Sequence, residues 1–359
     1  MASRATVERW LGELTNLPTA SGREHAVISW ARAWVARRQD LRVRADSGGN
    51  LLITQRGRAG QAPVIAVAHM DHPAFFIESV DGSEARFEFR GGVRPEYFSD
   101  ARVVFVTGEA TTGRVVSHDP RTGTGSISVE GRTMPVPGDI ARWRFGRGRL
   151  GPGTFQAPAC DDLAGCAAAL AWLDKARGQP DRRHFGILLT RAEEVGFIGA
   201  IHASKSGLIP ERARLLSIEA SRAWAEAPIG GGPVVRVGDA STVFDREMTN
   251  LISRAATASG IGHQRKLMSG GSCEATAFGA YGYRAAGLCL PLGNYHNMGN
   301  LDKVETGEGA AIPLMEVISL ADFHALVDLL LVAGSALGGV DPLPERLDRL
   351  YEESRHLLR

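Results

Sequence analysis

A chain of 359 residues with 41 Lys+Arg against 40 Asp+Glu is nearly neutral, so nothing suggests an electrostatic grip on nucleic acid or on an anionic membrane. Its 44% hydrophobic and 23% charged content is that of a globular protein, long enough for one large core or two domains. The N-terminal MASRATVERWLGELTN lacks the apolar run of a secretion signal, and the apolar stretch over 320–340 is broken by Asp322, His324 and Asp328, so no membrane span is expected. The four cysteines (Cys160, Cys166, Cys273, Cys289) make no CxxC pair, which points to reduced, buried thiols in a cytoplasmic protein. A thiolate zinc site at Cys160 and Cys166 would lack its second pair.

In chain order, apolar periodicity predicts helices over 5–15 and 24–38, the second opened by SGRE at 21–24 as a capping-box-like start with Ser21 as cap and Glu24 three residues on. NLLIT at 50–54 and PVIAVA at 63–68 read as strands. From 72 to 157 the texture changes to short β-type runs (ARFEFR, ARVVFVTGEA, GRVVSH, GSISVEG, DIARWRF) between Gly, Pro and Asp turns, the pattern of a small antiparallel barrel or sandwich. Beyond Asp161, helices are expected over 163–176, 197–205, 247–259, 319–334 and 342–357, and strands over 185–190, 215–218, 234–237 and 285–290. Short apolar runs alternating with helices indicate a sheet buried on both faces, hence an α/β domain with an inserted β unit. The expected division is 1–72 with 158–359 for the α/β part and 73–157 for the insert.

Four of the apolar runs end in residues able to bind a metal: His69 with Asp71, Glu193 with Glu194, Glu219, and His296. Ligands of open α/β sheets sit outside the carboxyl ends of the strands, so these residues would converge on one rim. Asp161 and Asp162 join them at the start of a helix, where carboxylates are favoured. Singly, each has an ordinary reading as a helix cap, a strand terminus or a solvated charge. Together, two imidazoles and several carboxylates suit a pair of hydrolytic metals about 3.5–4 Å apart, which act as Lewis acid and as a source of hydroxide. Repulsion between two such ions calls for a bridging carboxylate, and Asp161 is the candidate. Neighbouring side chains on extended backbone point opposite ways, so one of the Glu193–Glu194 pair can bind metal while the other serves as general base.

These residues, with SGRE, DSGGNLL at 46–52, AHMD at 68–71, PGD at 137–139, ACDDLAG at 159–165, AEEVGFIGA at 192–200, GGGP at 230–233 and NYHN at 294–297, give a chain that resembles the glutamyl and tetrahedral metallo-aminopeptidases of the di-zinc exopeptidase clan. The resemblance implies a mixed sheet flanked by helices with a small inserted β-barrel that contributes to dimer and dodecamer assembly. It implies one metal on His69, Asp161 and Glu219, and a second on Asp161, Glu194 and His296. Glu193 would be the general base, and Asp71 would orient His69. Two divalent ions per chain, zinc first and cobalt or manganese as alternatives, and peptide substrates trimmed from the N-terminus complete the expectation.

This chain departs from the pattern in three places. His72 and Pro73 follow the AHMD aspartate where an acidic residue is usual, Glu219 replaces the commoner Asp, and GGSCEA at 270–275 stands where a Gly-Gly-Thr-Asp type motif is usual. A related di-metal deacylase or carboxypeptidase would use the same metal pair, and a non-catalytic scaffold is the reading outside enzymes. A serine hydrolase is disfavoured because GGSCE at 270–274 lacks the final Gly of a nucleophile elbow.

Overall fold

Alternation along strand Val64–His69 sends Ile65 and Val67 to one side of a sheet and Ala66 and Ala68 to the other, and all six residues are buried. The computed structural model, which describes residues 1–57, 60–106, 111–339 and 343–358, accounts for this with helices on both faces. One side is covered by Arg4–Leu14, His25–Ala36, Leu163–Ala176, Arg246–Ala258 and Leu320–Ala336, the other by Ile198–Lys205 and Glu274–Ala280. Leu163–Ala176 is apolar all round up to its last turn, where Asp174 and Lys175 stand, and it is buried along almost its whole length, as a helix with so little polar face must be.

The eight-stranded sheet has the order Leu41–Ala45, Leu51–Gln55, Phe185–Thr190, Val64–His69, Arg214–Arg222, Arg284–Leu292, Val234–Asp239 and Gln264–Met268. Its four central strands run parallel in register, with Thr190 opposite His69 and Glu219 opposite Cys289, so their carboxyl ends form one row. Two strands of this sheet escaped the periodicity reading, as outside it did Ala74–Asp81, Arg149–Leu150, Thr154–Ala157 and Glu316–Ser319 and the short helices Glu274–Ala280 and Leu301–Glu305. LRVRA at 41–45 and QRKLM at 264–268 are the two edges, and edge strands carry charge because only one side is paired. The helix Glu274–Ala280 is too short to display a period. The helix expected over 342–357 is Leu343–Ser354 followed by a 3₁₀ turn; residue 342 lies outside the described residues.

Between Ala74 and Trp143 six antiparallel strands close into a barrel in the order Ala74–Asp81, Glu84–Arg90, Thr124–Glu130, Thr112–Asp119, Arg102–Phe105, Ile140–Trp143. Closure settles the barrel-or-sandwich alternative. The run over 101–110 supplies Arg102–Phe105, and residues 107–110 lie outside the described residues. The barrel core is aromatic: Phe75 meets Phe87, Phe89 and Trp143 edge-to-face with centroids 4.8–4.9 Å apart. After the barrel, Arg149–Leu150 and Thr154–Ala157 join Glu316–Ser319 in a separate three-stranded sheet. Among the described residues no helix is long and apolar enough to cross a membrane.

Candidate metal centre

Because the central strands are parallel and in register, the residues just beyond them share one rim. His69 ends its strand, Glu219 lies near the end of Arg214–Arg222, Glu193 and Glu194 occupy the turn after Phe185–Thr190, and His296 follows Arg284–Leu292. Asp161 enters this rim from the turn before the buried helix Leu163–Ala176. A cleft of about 420 Å³ opens beside them, lined by Asp161, Glu193, Glu194, Glu219 and His296 among others.

Asp161 stands between the two imidazoles: its Oδ1 is 3.3 Å from His69 Nε2 and its Oδ2 is 3.4 Å from His296 Nε2. Glu219 Oε2 lies 3.7 Å from His69 Nε2, and Glu194 Oε2 lies 3.2 Å from His296 Nε2. One ligand atom from each of His69, Asp161 and Glu194 falls within 4.8 Å of the others. Each imidazole also has an acceptor on its far nitrogen. His296 Nδ1–H donates to the Gly92 carbonyl at 2.6 Å, and His69 Nδ1 is 3.5 Å from Asp71 Oδ1. That arrangement turns the Nε2 atoms toward the carboxylates, a contact that a proton on the ring or a metal ion between the groups relieves. Asp161 Oδ1, Glu194 Oε1 and Glu219 Oε1 are buried without a hydrogen-bond partner among the described residues, which is costly for carboxylates unless cations sit against them. The donor set and the orphaned oxygens therefore fit divalent metal ions.

The electrostatics point the same way. Burial would lower the His69 pKa, but the carboxylates of Asp161, Asp71 and Glu219 around it outweigh that and hold the ring well above its usual value. His296 is likewise raised, against its burial, by Glu194 and Asp161. Asp161 is held below the ordinary carboxylate range, against desolvation, by the two imidazoles. Burial, reinforced by the charge of Glu219, pushes the Glu193 carboxyl well up, and burial raises Glu194 despite His296. A cluster this rich in acids draws positive charge from whatever is available.

Asp71 does more than face His69. Its Oδ1 accepts the Glu193 N–H at 3.0 Å and its Oδ2 accepts the Glu194 N–H at 3.1 Å, while Ser21 Oγ–H donates to Oδ2 at 2.6 Å. SGRE is therefore not the capping box expected from its spacing: the helix starts at His25 with no side-chain cap. Ser21 is taken by Asp71. Glu24, fully buried, pairs with Arg191 Nε at 2.7 Å and accepts the Ala192 N–H at 3.1 Å. A buried carboxylate takes the cation within reach over a distant capping contact. DSGGN works on the same turn. Asn50 Oδ1 accepts the Arg191 N–H at 3.0 Å, and Arg191 Nη1–H donates to the Gly48 carbonyl at 2.7 Å. These bonds hold Ala192 at φ 51°, a left-handed conformation that aims the following Glu193–Glu194 pair into the cleft.

The departures from the family pattern take up distinct places. His72, buried, donates Nδ1–H to the Asp161 carbonyl at 2.6 Å; burial, with His296 nearby, lowers its pKa to about 4. Gly270, Gly271, Ser272 and Cys273 line the cleft, and Glu274 lies fully buried beside them, its carboxyl pushed up to about 8 by desolvation. Cys160 and Cys166 are buried with their thiols raised by desolvation, and Cys166 Sγ–H donates to the His69 carbonyl at 3.1 Å. Periodicity missed Arg236, a guanidinium buried in the cleft wall with no ion pair or hydrogen bond among the described residues and only a cation–π approach to Phe244 at 5.9 Å. Its one signal in the sequence is a charge inside the apolar run PVVRV.

Comparison with known proteins agrees with this geometry. The profile of the M42 glutamyl aminopeptidases matches residues 135–308. A protein of Acetivibrio thermocellus named for an inferred aminopeptidase activity is 23% identical over 276 residues, covering 71% of this chain and 81% of its own length. Among solved structures, a TET aminopeptidase of a marine-sediment Thaumarchaeota archaeon has TM-score 0.77 at 18% identity, covering 93% of this chain and 97% of its own. An aminopeptidase of Desulfurococcus kamchatkensis has TM-score 0.75 at 21% identity, covering 93% and 95%. The TET1 peptidase of Pyrococcus horikoshii, which can assemble into a tetrahedron or a large octahedral shell, has TM-score 0.74 at 20% identity, covering 91% and 99%. The fold, the profile match over residues 135–308 and the rim of acids and imidazoles agree: the chain is a peptidase that resembles the M42 glutamyl aminopeptidases.

Proposed function

We propose that this peptidase removes N-terminal residues from peptides with two divalent metal ions, zinc first among them. The observation that carries this reading is Asp161 placed between His69 and His296 with one oxygen toward each. His69, Asp161 and Glu219 would hold one ion, and Asp161, Glu194 and His296 the other. When bound, such ions supply Lewis acidity and an activated water. Glu193 would act as general base toward the attacking water and carry its proton to the departing amine, while Asp71 fixes the His69 ring and the backbone of the Glu193–Glu194 turn.

The substrate's free α-amine would be held among the acidic groups of the rim. Arg236, facing the same cleft with no ion pair or hydrogen bond among the described residues, suits an acidic side chain on the residue removed. Residues 1–72 and 158–359 would form the catalytic unit and 73–157 the inserted unit used in assembly to a dimer or dodecamer, in a cytoplasmic setting. Native mass spectrometry is expected to give close to two ions per chain, with activity abolished by chelation and restored by zinc, cobalt or manganese. Full activity after exhaustive removal of divalent metal would end the two-metal reading.

A further inference from the structure

Beneath the rim lies one more fully buried carboxylate, Glu316, the first residue of strand Glu316–Ser319. Its Oε2 accepts the Cys160 N–H at 2.6 Å and the Asp161 N–H at 2.9 Å. Its Oε1 accepts the His296 N–H at 2.9 Å. One side chain thus ties together the two segments that bring Asp161 and His296 to the cleft. The strand itself is fixed on both sides, because Glu316 is in register with Ala157 and the next residue, Val317, bridges Gly293. A carboxylate shut away from water needs such N–H donors, and in return fixes where they stand. His296 is held in a left-handed conformation (φ 53°), which a residue other than glycine keeps only when its surroundings impose it.

Of the other metal position only the shared Asp161 touches this clamp. His69 and Glu219 sit on strands paired along the central sheet, and His69 faces Asp71. We propose that Glu316 is a positioning residue that sets Asp161 and His296 relative to one another and thereby builds selectively the metal position shared by Asp161, Glu194 and His296. The proposal rests on the two-metal reading above.

Three proteins test it: wild type, Glu316→Gln and Glu316→Asp, each stripped of metal and titrated with zinc by calorimetry, with native mass spectrometry for stoichiometry and thermal unfolding for the fold. Gln keeps the volume but turns an N–H₂ group toward backbone donors, and Asp keeps the charge but is too short to reach both segments. Both variants are expected to keep a cooperative transition and one ion at an affinity within about threefold of wild type. Binding of the second ion should weaken by about 10- to 100-fold, the range typical of lost support to a ligand shell. Unchanged binding of both ions, equal weakening of both, or variants that do not fold would each overturn the selective role. A wild-type chain that takes up only one ion would instead overturn the two-metal reading, and this proposal with it.

Discussion

Glu193→Gln is expected to lower kcat by about a hundredfold or more while both metal ions stay bound, the scale at which a positioned general base contributes. The two residues of the pair are held by one carboxylate, since Asp71 accepts both backbone N–H groups, yet their side chains have different surroundings. The Glu194 carboxylate is within 3.2 Å of the His296 ring, whereas that of Glu193 makes no hydrogen bond or ion pair among the described residues and lines the open cleft. A ligand belongs in the first setting and a base in the second. Gln is isosteric with Glu and cannot accept a proton at neutral pH, so Glu193→Gln removes the chemistry and leaves the shape. Glu194→Gln should instead weaken one ion. Steady-state kinetics beside metal analysis separates the two, and loss of metal from the Glu193 variant alone would exchange their roles.

Arg236→Met is expected to change substrate choice by about a hundredfold. A charge-assisted pair between a buried guanidinium and a carboxylate contributes about 1.5–3 kcal/mol, which is roughly 10- to 150-fold in kcat/KM. Wild type should therefore prefer Glu- and Asp-anilides over Leu and Ala. The variant should lose that preference while its kcat/KM on neutral substrates stays within about threefold. Equal losses on acidic and neutral substrates would mean that Arg236 supports the cleft and does not read the side chain.

The outline of the rim was legible in the sequence because its physical cause is local. A parallel sheet buried on both faces leaves continuous apolar runs, and a metal-binding residue at the end of such a run stands out, as His69 does after VIAVA and Glu219 after LLSI. Partners brought together only by tertiary structure leave no such mark. Glu316 sits in MEVIS like any strand-initiating acid, and nothing local says that it accepts N–H groups from Cys160, Asp161 and His296. Ser21 and Glu24 show the converse: their spacing matches a capping box, but a neighbouring carboxylate and an arginine far along the chain outcompete the helix end. Five short β-type runs announced a closed or layered β unit through alternation, and alternation is the same in both, so only the pairing of Ala74–Asp81, a strand none of those runs covers, with Ile140–Trp143 distinguishes them.

The reading of the site as one that trims peptides from a free N-terminus is tested most directly by a paired series of aminoacyl-nitroanilides and their N-acetylated counterparts, assayed on the metal-loaded chain. A cleft bearing Glu193, Glu194 and Glu219 beside Asp161 suits an α-ammonium group, and acetylation removes that charge while adding bulk where the substrate's end must seat. The account predicts turnover of the free series, fastest for acidic side chains, and no measurable turnover of the blocked series. Cleavage of the blocked series at comparable or higher rates would contradict it and point to a deacylase on the same metal pair.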